Sequence, residues 1–163
     1  HFLGWEFPCN YLRMLHKKGN FKKGVYRPRN RSKYKGVGNP DYRSSWELHF
    51  FKWCDFNANV LEWSAENIII PYVSPMDQKV HRYFVDNHIV IKEGDKKVKY
   101  LIEIKPHKQT IPPKESKRKK KTTLLHEKVT YSVNLAKWEA AKKWCKSHGF
   151  KFLILTEKEL FAK

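Results

Sequence analysis

Three positions carry most of the chemistry that this chain can do: Asp86 in the run Arg82-Tyr-Phe-Val-Asp-Asn-His-Ile-Val-Ile91, and Glu103 and Lys105 in Val98-Lys-Tyr-Leu-Ile-Glu-Ile-Lys-Pro106. Both runs are rich in β-branched and aromatic residues, and the polar turn Glu93-Gly-Asp-Lys-Lys97 separates them, so two adjoining strands are expected. Alternate side chains of a strand share a face, which sends Glu103 and Lys105 one way and Ile102 and Ile104 the other. Two carboxylates and an ammonium brought to one place suit metal-assisted hydrolysis of a phosphodiester. That reaction needs an activated water, neutralised charge on the phosphorus centre and a stabilised leaving alkoxide. Mg²⁺ takes oxygen ligands and keeps several waters, so a few carboxylates suffice, with Mn²⁺ as the expected substitute. Lys105 would contact a phosphate oxygen or polarise the attacking water.

Each position also has a plain structural reading. Glu-x-Lys on a strand is commonly a surface ion pair, but Leu101, Ile102 and Ile104 mark this strand as buried, where charges are costly unless paired or used. Asp86 otherwise reads as a strand-end turn residue. Glu47, on one helical face with Phe50, Phe51 and Cys54, is a third candidate catalytic acid and metal ligand. Ser44-x-x-Glu47 fits a capping box equally well, in which Glu47 reaches back to an amide and needs no metal, and both readings stay open. Glu66 is either a further acid beside the site or a surface residue.

Candidate DNA contacts surround these acids. Arg43 precedes the Glu47 helix, His81 and Arg82 precede Asp86, and Lys108 and Gln109 follow Lys105. Lys117, Arg118, Lys119, Lys120 and Lys121 form a cluster suited to sequence-independent contact with phosphates. Solvated surface charge is the alternative for each.

The elements that must position these groups can be read in order. A helix is expected from Ser44 to about Asn57, with Phe50, Phe51, Trp53 and Cys54 inside. Val60 to Trp63 reads as a turn, and Ile68 to Val73 as a strand in which Pro71 marks an edge or bulge. After a turn over 74–79 come the two strands of the acid pair. Pro106 to Lys121, with Pro112-Pro113, reads as a long, mobile basic loop. A second helix is expected from about Asn134 to Ser147, with an inner stripe of Leu135, Trp138, Ala141 and Cys145 and a stop at Gly149. Phe150 to Leu155 is a short strand, and Thr156-Glu-Lys-Glu159 is a capping box opening a last short helix. The order is αβββαβ plus a small helix, an α/β chain without internal repeats.

Composition bounds the rest. With 163 residues, 40% of them hydrophobic, the chain is sized for one domain, expected over 40–163 behind a basic N-terminal arm over 1–39. In that arm lysines and arginines interleave with Phe21, Tyr26 and Tyr34, which could anchor it to the body, stack on bases, or sit in a solvated tail. The chain opens on His1, and Met14-Leu-His-Lys-Lys18 has the form of a natural start, which makes residues 1–13 a segment of doubtful origin. Thirty-four Lys and Arg against sixteen Asp and Glu, a net charge of +18, favour a polyanionic partner, nucleic acid over membrane. Cys9, Cys54 and Cys145 lack metal-ligand spacing and read as reduced, packed thiols. No run reaches the ~18 apolar residues of a membrane helix, and the opening lacks a secretion signal, so the chain is not expected to be secreted.

With the motifs in hand, the chain resembles the PD-(D/E)xK nuclease superfamily. The stretches Tyr42-Arg-Ser-Ser-Trp-Glu-Leu48, Glu62-Trp-Ser-Ala-Glu66, Ile70-Pro-Tyr-Val-Ser-Pro75, His81-Arg-Tyr-Phe-Val-Asp86, Glu103-Ile-Lys-Pro106, Lys137-Trp-Glu-Ala-Ala141 and Thr156-Glu-Lys-Glu159 look like the TnsA-type endonucleases. Within these they look most like the head completion nucleases of contractile-tailed bacteriophages. The resemblance runs from about Lys33 to the end. It implies a restriction-endonuclease-like αβββαβ core whose central mixed sheet is flanked by helices. It also implies that Glu47, Asp86 and Glu103 bind Mg²⁺ and that Lys105 assists catalysis. Val85-Asp86-Asn87-His88 departs from the family, which commonly has a proline or an acidic-aromatic phrase there.

The resulting expectation is a Mg²⁺-dependent endonuclease acting on double-stranded DNA during phage head completion. Phage head or neck proteins are the further partners it suggests, and the host cytoplasm during assembly, or the virion, is the expected location. A transposon-end or restriction-type endonuclease is a second reading. A non-catalytic DNA-binding protein of the phage head or neck is a third. The sequence sets no oligomeric state.

Overall fold

Apolar alternation through 87–104 is long enough to build a β-hairpin, and Gly94, at φ +59°, supplies the left-handed turn that closes it. The structure is a computed structural model that describes residues 4–7 and 23–161. In chain order it has β1 (Gly24–Val25), β2 (Asp41–Tyr42), α1 (Ser45–Phe56), β3 (Val60–Ala65), β4 (Ile69–Val73), β5 (Val80–Phe84), β6 (Asn87–Glu93) and β7 (Lys96–Ile104). A 3-10 turn (His107–Gln109), α2 (Lys121–His148), β8 (Lys151–Leu155) and α3 (Glu157–Leu160) complete it. The central sheet has the order β3-β6-β7-β8, antiparallel except for the parallel β7–β8 pair, while β4 and β5 form a separate two-stranded sheet.

The pleat of β7 divides the core in two. Tyr100, Ile102 and Ile104 join Ile89, Ile91, Trp63 and the α1 residues Phe50, Phe51, Trp53 and Cys54. Leu101 instead joins Trp138, Ala141 and Cys145 of α2 and Ile70, Tyr72, Tyr83 and Val85 around the β4–β5 pair. The fold is thus a mixed α/β layer with a helix on each side of a central mixed sheet, and β4–β5 is pinned under α2. Among the described residues no helix is long and apolar enough to cross a membrane.

Several expectations need correction. Val60 to Trp63 is not a turn but most of β3, paired with β6; a register shift between Val60 and Glu62 interrupts the alternation that would have revealed it. The single strand expected around Asp86 is two. β5 ends at Phe84 and pairs with β4, β6 starts at Asn87 and pairs with β3 and β7, and Asp86 is the bend between them. The second helix starts at Lys121, not near Asn134, so Lys121 is helical and only 106–120 connects. Its first three turns bury no side chain, and its N-cap, Lys120, makes no side-chain capping bond, so neither periodicity nor a start signal announced it. Its buried stripe is Asn134, Trp138, Ala141 and Cys145; Leu135 is 41% exposed.

Other signals hold. Ser44 Oγ accepts from Glu47 N at the start of α1, Gly149 ends α2 at φ +73°, and Thr156 and Glu159 form a reciprocal capping box. Pro71 lies in β4, which pairs on one side only. Cys54 and Cys145 are buried free thiols, while Cys9, Phe21 and the basic residues 17–22 lie outside the described residues.

The described part of the arm packs on the body. Tyr26 and Tyr34 are buried in the α1 core, and the buried Asp55 accepts hydrogen bonds from the Tyr26 hydroxyl (2.6 Å) and from the Arg29 and Asn30 amides (2.7 and 2.8 Å). Lys33 Nζ donates to the Asp55 and Asn57 carbonyls at the end of α1. That end has no other basic residue in its last turn, so Lys33 meets the negative pole of the helix. Trp5 and Phe7 also enter this core, their rings 5.3 and 4.6 Å from that of Trp53.

Candidate active site

Glu103 sits on the α2-facing side of β7 with only 3% of its surface exposed, and the strands around it explain how a carboxylate is kept there. Its Oε2 accepts a short hydrogen bond from the Tyr83 hydroxyl, and its Oε1 lies 3.3 Å from Lys105 Nζ. Burial first, and the Glu103 charge second, push the Tyr83 phenol up, so it remains a donor. Lys105 leaves β7 with its amide bonded to the Leu155 carbonyl, which holds the residue beside the sheet while its ammonium turns back to Glu103.

Asp86 reaches the same place from the β5–β6 bend. Its Oδ2 accepts from the Ile104 amide at 2.8 Å, one residue beyond Glu103. Among the described residues no donor reaches Oδ1. Loss of water and the neighbouring Glu103 charge raise its carboxyl well above the usual carboxylate range, with a smaller push from Glu47; the Ile104 amide and Lys105 oppose the rise. The bend is tied by the Glu66 amide, which donates to the Asp86 carbonyl at 3.1 Å. Glu66 is held at φ +50°, a left-handed conformation unusual for a side-chain-bearing residue.

Glu47 arrives from the first turn of α1. Half of the expected capping box is present, Ser44 Oγ accepting from the Glu47 amide, but the Glu47 carboxylate passes Ser44 and accepts from the Arg43 amide instead. Burial raises its pKa, Arg43 lowers it, and Glu66 adds a further upward push. Arg43 also pairs with Glu66 Oε1 at 2.7 Å, so this guanidinium is shared between the two acids. The acids thus form a chain, Glu66 acting on Glu47 and both Glu47 and Glu103 acting on Asp86, with Arg43 and Lys105 as nearby cations. No three His, Cys, Asp or Glu side chains among the described residues are close enough together to form a ready metal cage.

The remaining candidate contacts are spread around this cluster. His81 is on β5, bonded to Asp77 at 2.8 Å and packed near Tyr72, and the Arg82 guanidinium lies over the Phe84 ring. Lys108 and Gln109 are exposed on the 3-10 turn directly after Lys105 and Pro106. Lys117, Arg118, Lys120 and Lys121 are exposed, whereas Lys119 bonds Glu127 (2.7 Å) and the Lys114 carbonyl (2.9 Å), fastening the connection to α2. Tyr83 is the residue that sequence reasoning overlooked. Its signal was an inward-facing phenol on the strand leading to Asp86, visible only once that strand is known to end at Phe84.

Comparison with known proteins places the chain in a family. Residues 57–157 match the family model described as TnsA-like endonuclease N terminal, a span that holds Asp86, Glu103 and Lys105. The chain is also 39% identical over 143 residues to a protein of Enterobacteria phage T4 named Head completion nuclease, covering 85% of this chain and 93% of that one. With a matched region that takes in most of the sheet and a near full-length relative, the chain belongs to the TnsA-like endonucleases, in the group of phage head completion nucleases.

Proposed function

We propose that this protein is a metal-dependent DNA endonuclease acting in phage head completion, and that it cuts at the Asp86–Glu103–Lys105 cluster. The observation that carries this reading is the joint placement of Asp86 and Glu103: the Ile104 amide holds one, Tyr83 and Lys105 hold the other, and the Glu103 charge opposes ionisation of Asp86. Such an excess of oxygen donors over cations fits a hard divalent ion such as Mg²⁺ or Mn²⁺, with Asp86, Glu103 and Glu47 as the residues that would hold it. When bound, the ion would supply charge neutralisation at the phosphate and a more acidic water.

The chain's own groups then have distinct tasks. Tyr83 keeps Glu103 oriented, leaving the carboxylate fixed before substrate arrives. Lys105, half-buried, places a positive charge where a phosphate oxygen or an attacking water can meet it. The exposed lysines and arginines of 117–121 and Arg82 would hold the duplex by its backbone, in keeping with a net charge of +18. The mixed sheet with an acid and a lysine at the end of β7 is compatible with a PD-(D/E)xK core.

The family match alone suits a transposon-end nuclease equally well. The near full-length likeness to a head completion nuclease favours the phage role. Supercoiled plasmid incubated with the protein tests the activity: nicking or linearisation is expected with Mg²⁺ or Mn²⁺ and none with EDTA. Cleavage at scattered positions supports the phage reading, and cleavage confined to defined sites supports the transposon or restriction one. Plasmid bound but uncut at every metal concentration would leave a DNA-binding structural protein.

A further inference from the structure

A cavity of about 380 Å³ lies between the 106–120 connection and the first half of α2. It falls within the ~300–1,000 Å³ range of small-ligand sites. Ile111 and Pro113 wall it on the connection side, and Tyr131 walls it on the helix. Asn134 lines it from α2 with 7% of its surface exposed, and among the described residues its side-chain amide makes no hydrogen bond. Its polar atoms are not sealed from water, so on the cavity wall the amide is free to bond a ligand. Gln109, a second amide, and Lys108 line the mouth.

We infer that this cavity receives one unstacked nucleobase of the DNA. The inference rests on the nuclease reading for its substrate and adds how that substrate is held. A base has two apolar faces and an edge of donors and acceptors, which matches a phenol ring and aliphatic walls combined with two amides. An amide side chain can pair with a base edge through both its donor and its acceptor. Lys108 meets the phosphate at the mouth. The placement fits the chemistry as well. β7 runs from Glu103 and Lys105 through Pro106 into the turn that bears Lys108 and Gln109. On α2, Asn134 lies one turn before Trp138, which packs in the cluster containing Tyr83, the partner of Glu103. A base lodged here would belong to a nucleotide close to the scissile phosphate, so the preferred substrate is DNA with an unpaired or easily unstacked base: a gap, a flap or a mismatch.

The test uses the full chain in EDTA, so that binding is read without cleavage. Two gapped duplexes are compared by fluorescence anisotropy, identical except that one carries an adenine and the other an abasic site at the unpaired position. Wild type is expected to bind the adenine duplex about tenfold more tightly, within the range for one base stacked on an aromatic ring. Tyr131→Ala should lose that preference while binding the abasic duplex as wild type does, which also shows that the variant is folded. Asn134→Asp should weaken adenine binding in the same selective way. Equal wild-type affinity for the two duplexes would overturn the inference, and so would an undiminished preference in Tyr131→Ala. Plasmid nicking measured separately keeps the two readings apart: an enzyme that cuts without base preference has no base pocket, and a protein with base preference that never cuts retains the pocket but is no nuclease.

Discussion

The Tyr83 hydroxyl donates to Glu103 Oε2 across two separate sheets, joining the β4–β5 pair to the central strand β7 at the proposed site of reaction. The bond makes the orientation of a buried acid depend on a strand that shares no backbone hydrogen bonds with it. Tyr83→Phe keeps the ring in the α2 core and removes only the donor. Partners that orient a metal-binding group typically matter by about 10–100-fold in affinity or activity. The expected result is a rise of that order in the Mg²⁺ concentration needed for half-maximal nicking, with the thermal midpoint little changed. An unaltered metal titration would show that Glu103 does not depend on Tyr83.

Asp86 yields a prediction about stability. Its carboxyl is held above the usual range in the folded protein by loss of water and by Glu103, whereas in the unfolded chain it titrates near 3.9. The folded state therefore binds the proton more tightly. As pH rises from about 4 through the raised folded pKa, the unfolded state gains relative to the folded one and stability falls. Asp86→Asn removes this penalty and keeps an acceptor for the Ile104 amide. In EDTA at pH 7 the variant should melt at a higher temperature than wild type, with the gap closing below about pH 4, and it should be inactive. A lower melting temperature in EDTA would mean that Asp86 contributes to the fold.

Asp55 behaves in the opposite sense. Burial alone would raise its pKa, but the Tyr26 hydroxyl and the Arg29 and Asn30 amides outweigh it and hold the carboxyl below its ordinary value. Its contribution is fully present above the unfolded value near 4 and is lost as pH falls through the lower folded one. Asp55→Ala leaves several donors without a partner and should cost on the order of 3 kcal/mol at pH 7 by urea unfolding, with a smaller difference from wild type at pH 2–3. A pH-independent difference would assign the loss to packing.

Glu47 can be tested without breaking its helix. Ser44 provides the cap through its own hydroxyl, and a Gln carbonyl can still accept from the Arg43 amide. Glu47→Gln should therefore change stability by less than about 1 kcal/mol and still abolish metal-dependent nicking. Full activity in that variant would make Glu47 a cap alone.

The physics that made parts of this protein legible in its sequence also explains what was hidden. Gly149, the Thr156–Glu159 box and the apolar face of α1 are local signals, and each gave its element. Trp138, Ala141 and Cys145 announced the buried half of α2, but the polar half from Lys121 has no core to face and left no stripe to read. β3 was obscured by a register shift, and the run through Asp86 concealed its break because Val85 is as apolar as a continuing strand requires. For the acid cluster, residue types pointed to Asp86, Glu103 and Lys105, and the structure brings them together. Tyr83, the Glu66 amide and the Ile104 amide arise only from tertiary contact, where no spacing rule applies.

The central claim is that Glu103 and Lys105 form one metal-dependent cutting site. The most direct measurement is the rate of supercoiled-plasmid nicking in Mg²⁺ for wild type, Glu103→Gln and Lys105→Ala at matched DNA occupancy, with folding checked by circular dichroism. Metal-dependent nicking by wild type and a loss of at least about 100-fold in each variant, with DNA binding retained, is the predicted result. Nicking at the wild-type rate in both variants would contradict the account.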